Sequence, residues 1–71
     1  MIKINGAAIR RALLDKKLSL RQMSKQSGLH AKTCRRLVDG KAGSFRVIGT
    51  AAAYLGLNAD DLIIGRDKVS N

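Results

Sequence analysis

Apolar residues recur at three- and four-residue intervals along most of this chain, the spacing that puts one face of a helix into a core. Between Gly6 and Lys17, Ile9, Ala12 and Leu13 share such a face, while Arg10, Arg11, Lys16 and Lys17 lie elsewhere. Asn5 is a good N-cap for this helix. Lys16 and Lys17 fall at its C-terminal end, where the dipole favours cations, and Leu14 and Leu18 are expected to complete the contact. Ser19 and Gln22 form a capping-box pattern that opens a second helix over residues 20–27, with Leu20, Met23 and Ser24 on one side. Gly28 stands where a left-handed residue closes a helix, and Leu29 plugs the turn into the core. His30 is placed to cap a third helix, residues 31–39, whose inner face is Cys34, Leu37 and Val38 and which Gly40 ends.

Residues 41–43 read as a loop. Ser44 caps a fourth helix over 45–55, with Ile48, Ala51, Ala52 and Leu55 inward and Gly56 as its stop. Asn58 with Asp61 caps a last helix, residues 59–64, which buries Leu62 and Ile63. Met1 to Ile4 alternates apolar and polar, but four residues do not decide a strand. The expected fold is all-α: one compact five-helix domain over residues 1–64, followed by a flexible polar tail, residues 65–71.

Charge changes this picture more than composition does. In 71 residues, 14 Lys and Arg face 5 acidic residues, a formal net charge of +9. Such an excess on one small domain points to a polyanionic partner. A single cysteine forms no internal disulfide and suits a reducing cytoplasm. Residues 47–57, the longest apolar-rich stretch, fall far short of the roughly 20 residues of a membrane span. The expectation is a soluble cytoplasmic, nucleoid-associated protein without a membrane partner. Cys34 and His30 are each isolated from the partners that nucleophilic or metal chemistry needs. The five Asp residues show no catalytic pairing, and there is no phosphate-loop or zinc spacing, so no enzyme, metal or cofactor is expected.

The stretch LSLRQMSKQSGLHAKTCRRLVDG and the later TAAAYLGLNADDLI resemble, at this separation, the Cro and repressor-type helix-turn-helix family, the lambda-repressor-like DNA-binding domains. Leu18, Met23, Ser24, Gly28, Leu29, Cys34, Leu37 and Gly40 match the family's small or apolar positions. Three departures stand out. Leu20 occupies a place where the family usually has a phosphate-holding Gln. Asp39 replaces a frequent Asn. Leu13 and Val38 stand where many members carry a partly buried Arg–Glu ion pair. Here a hydrophobic contact is expected in its place, an exchange that is often neutral or stabilising.

The resemblance implies a third helix that enters the major groove. Ala31, Lys32 and Arg36 then occupy base-reading positions, with His30 and Thr33 beside them. Arg reads guanine bidentately, a contact worth about 1–3 kcal/mol of discrimination, and Ala31 suits a thymine methyl. Arg35 is assigned to phosphate. Lys41, Ser44 and the backbone N–H groups of residues 43–46 make an anion-binding helix start, with Arg46 adding charge, and Arg21 and Lys25 are further phosphate candidates. The expected function is a small phage or bacterial transcriptional regulator on double-stranded operator DNA. It would act as a homodimer through Leu57, Ile63, Ile64, the tail or Met1 to Ile4. The alternative is an antirepressor or modulator that grips another repressor protein with the same basic surface.

Overall fold

The structure, a computed structural model, describes residues 1–65. Its elements in chain order are β1 (Ile2–Ile4), α1 (Gly6–Asp15), α2 (Leu20–Ser27), α3 (Ala31–Val38), β2 (Lys41–Ala42), α4 (Phe45–Leu55), α5 (Ala59–Leu62) and β3 (Ile63–Gly65). Residues 66–71 of the predicted tail lie outside the described residues.

Local capping explains where the helices begin. The Asn5 side chain accepts from the Ala8 amide at 3.1 Å. Ser19 and Gln22 form the full reciprocal box, at 2.8 and 3.1 Å. Ser44 accepts from the Val47 amide and Asn58 from the Asp60 amide. Gly28 and Gly56 close α2 and α4 in the left-handed region, at φ 82° and 72°. His30 holds the N-cap position of α3 but makes no side-chain capping bond.

The all-α expectation needs correction, because a small three-stranded antiparallel sheet is present in the order β2-β1-β3. The predicted loop at 41–43 contributes β2, which pairs Ile2 with Ala42 and Lys3 with Lys41. The last helix stops at Leu62 rather than 64, and Ile63 turns into β3, where it pairs with Ile4. The Ile4 amide donates to the Gly40 carbonyl at 2.9 Å and the Asn5 amide to the Leu62 carbonyl at 2.7 Å, so backbone groups between the elements are also paired. Helix α1 ends at Asp15, with Lys16 as its C-cap and Lys17 left-handed at φ 57°, so neither lysine belongs to its last turn. Helix α3 ends one residue early, with Asp39 as its C-cap.

The core draws on every helix. Ile9, Met23, Cys34, Leu37, Ile48 and Leu62 are its most deeply buried side chains, joined by Ile4 and Ala42 from the sheet. Full burial of an aliphatic side chain of this size stabilises by about 1.5–3 kcal/mol. No polar side chain is buried among the described residues. Leu14 departs from expectation: it is 74% exposed, whereas Leu18 packs half-buried against the core. Among the described residues no helix is long and apolar enough to cross a membrane.

Candidate nucleic-acid interface

Helix α3 is held from three sides. On its inner face Cys34 and Leu37 are fully buried. The turn before it is fixed by the Ser24 hydroxyl, which donates to the Leu29 carbonyl at 2.6 Å, while the Ser27 hydroxyl accepts from the Leu29 amide at 3.2 Å. Ser24 is therefore small where α2 meets α3 and also bonded across the turn. At the far end Arg10 of α1 donates to the Val38 carbonyl at 3.3 Å, a cation on a helix C-terminus. The pattern along α1 placed Arg10 off the buried stripe, and nothing local to it signals this long-range bond. Gly6 approaches the same end so closely that a Cβ there would lie 2.4 Å from the Val38 carbonyl oxygen and 2.7 Å from the Gly40 nitrogen. Tyr54 of α4 donates to Gln26 of α2, tying the turn unit to the rest of the domain.

With its inner face anchored, α3 turns its other face outward. Lys32, Arg35 and Arg36 are exposed, and no described residue bonds or pairs with their side chains. His30, Ala31, Lys32, Thr33 and Arg36 line one open depression of about 470 Å³. All five predicted base-reading residues thus meet on one surface. Arg35 lies apart from them. It lines a second depression, of about 340 Å³, with Arg10, Leu13, Leu14, Leu18, Leu20, Val38 and Asp39. Leu13 and Val38, the apolar replacements for an ion pair, share this second depression and pack in the same core cluster.

The remaining predicted phosphate residues are spread over three elements. Arg21 and Lys25 are exposed on α2, Lys25 in its last turn. Lys41 is exposed on β2, a strand rather than a loop. Ser44 and Arg46 are exposed at the start of α4, and the Ser44 hydroxyl is already engaged by the Val47 amide at 3.3 Å.

Cys34 is a buried free thiol, and burial raises its pKa above the ordinary value, which disfavours the reactive thiolate. No group of three or more His, Cys, Asp or Glu among the described residues could hold a metal ion.

No curated protein and no solved structure matches the chain. A family model does match, over residues 8–67, most of its length. The matched span contains the tight α2–α3 turn, the anchored inner face of α3 and its open cationic face, and the chain belongs to the Cro/C1-type helix-turn-helix DNA-binding domain family.

Proposed function

We propose that this domain is a transcriptional regulator that reads operator double-stranded DNA with α3 in the major groove. The observation that carries this reading is the single depression lined by His30, Ala31, Lys32, Thr33 and Arg36. It combines cations that bond guanine edges with small groups that contact a thymine methyl. Arg35, Arg21, Lys25, Lys41, Ser44 and Arg46 serve as phosphate contacts that set register without reading sequence. A single domain of this size buries little surface on DNA, so two copies on a pseudo-palindrome give the required affinity, with half-sites about one turn apart. Exposed Ile64 and half-buried Leu57 and Ile63 are candidates for the contact between copies.

The test is selection of binding sequences from a random duplex pool by the purified protein, repeated with Arg36→Ala. Preference should relax at one base pair of each half-site, at a cost of about 1–3 kcal/mol. Uniform weakening across sequences would move Arg36 to the phosphates instead, and loss of salt dependence would refute phosphate-driven binding.

A second reading is an antirepressor or modulator that binds another repressor protein. The depression beside α1 favours it, because Leu13, Leu18, Leu20 and Val38 are joined there by a 74% exposed Leu14. Leu14→Ser separates the two: it adds no charge beside Arg35, so it leaves operator binding intact in a DNA reader and weakens partner capture in a modulator.

A further inference from the structure

The sheet brings together two cations that are 38 positions apart in the chain. Lys3 of β1 and Lys41 of β2 are register partners in an antiparallel pair. Directly opposed residues share one sheet face, with Cβ atoms about 4.5–5.5 Å apart, and like charges placed so are destabilising. Ile4 and Ala42, on the other face, are buried, so both lysines project outward, where they are exposed. Together with Met1 and Ile2 they line a depression of about 270 Å³. No described residue supplies either ammonium with a carboxylate. On its other side Lys3 pairs with Gly65, which brings no side chain to neutralise it.

Protection of an exposed edge does not account for this arrangement. Lysine on an edge strand blunts unwanted strand pairing, and Lys41 sits on such a strand. Lys3 sits on the central one. The sheet therefore carries a pair of like charges that no described residue compensates, at a position where edge protection gains nothing.

The pair also lies in a telling place. Helix α3 has eight residues, about 12 Å of length, and the major groove is itself about 12 Å wide. The base-reading surface uses the N-terminal part of α3 and the residue before it. Lys41 follows the C-terminal end of the same helix by three residues, at the end opposite to the base-reading residues.

We propose that Lys3 and Lys41, set side by side by β1 and β2, clamp one phosphate of the DNA backbone flanking the groove that α3 reads. This rests on the DNA-reading function proposed above, and adds β1 to the interface. The bound phosphate supplies a negative charge that no described residue brings to the pair, so repulsion between the lysines becomes attraction in the complex.

The experiment measures binding of the full chain to a short duplex of random sequence across a salt series. Phosphate contacts are indifferent to sequence, so no operator is needed. Lys3→Ala should reduce the slope of log affinity against log salt by about 1, and Lys3→Arg, which keeps the charge, should restore it. In the DNA-free protein at low salt, Lys3→Ala should also raise the melting temperature, and added salt should close that gap. A slope unchanged in Lys3→Ala, with Lys41→Ala still reducing it, would overturn the clamp while leaving DNA reading intact. A wild-type chain that binds no duplex even at low salt would overturn the proposed function, and the clamp with it.

Discussion

The helix-turn-helix unit, residues 19–38, and the three-stranded sheet are built on opposite principles. The starts, stops and turn of the first are set by residues within a few positions of one another. Ser19 and Gln22 exchange two hydrogen bonds to start α2, Gly28 closes it nine residues later at φ 82°, and Ser24 and Ser27 fix Leu29. The sheet gathers three short segments from distant parts of the chain, none longer than three residues, and none stable alone. The functional unit is locally encoded, while its footing, the sheet and the Gly6 contact behind α3, is encoded only in the assembled fold.

That contrast can be broken by mutation, and the largest effect should fall on the footing. Ile4→Ala removes a side chain that is 3% exposed at the centre of the sheet, and should cost about 2–5 kcal/mol in urea unfolding. A loss no greater than that of a single cap would mean that the sheet contributes little. Next comes Gly6→Ala. Its Cβ meets backbone atoms of Val38 and Gly40 that have no flexible end to yield, so roughly 1–3 kcal/mol should be lost through overpacking. Gly49→Ala is the matched control. A Cβ there meets nothing within 4 Å, and in the middle of α4 it should gain about 0.4–1 kcal/mol. If both substitutions shift stability in the same direction, close approach is not what holds Gly6.

Within the local unit, Ser19→Ala should cost about 1 kcal/mol, read as a fall of several degrees in melting temperature. The smallest effect belongs to Cys34. The fold favours its neutral thiol, so above the ordinary thiol pKa of about 8.5 the unfolded chain ionises first. Stability should therefore be unaffected by this group at neutral pH and decline as pH rises through that alkaline window. Cys34→Ala should flatten the decline, and an unchanged pH curve would show that the thiol contributes none of it.

How far the fold can be read from the chain follows the same division. Caps at Asn5, Ser19, Ser44 and Asn58, and the stops at Gly28 and Gly56, are short-range chemistry, and each lies where the pattern puts it. The inner face of α3 was legible because Cys34 and Leu37 repeat at helical spacing. Residues 2–4, 41–42 and 63–65 were not, because a strand of two or three residues leaves no period to detect, and Ile63 and Ile64 fit a continued helix equally well. Leu14 looked like core for a similar reason: it neighbours the buried stripe, but α1 turns it away from the body. For the site, helical spacing and the family resemblance placed Lys32 and Arg36 together. Neither gave a reason to link Lys3 with Lys41 or Arg10 with Val38, since both pairs are made by tertiary assembly.

The strand order has a consequence for how the domain is made. The central strand precedes every helix in the chain, yet one of its two neighbours, Ile63–Gly65, follows all five. Until that neighbour emerges, Ile2–Ile4 has an unoccupied flank, and Ile4 has no Ile63 to pair with. Helices α1 to α4 all precede that segment in the chain, so the sheet is the last part of the fold that can close. A chain cut before residue 63 keeps every residue of the reading helix but leaves one flank of the central strand open.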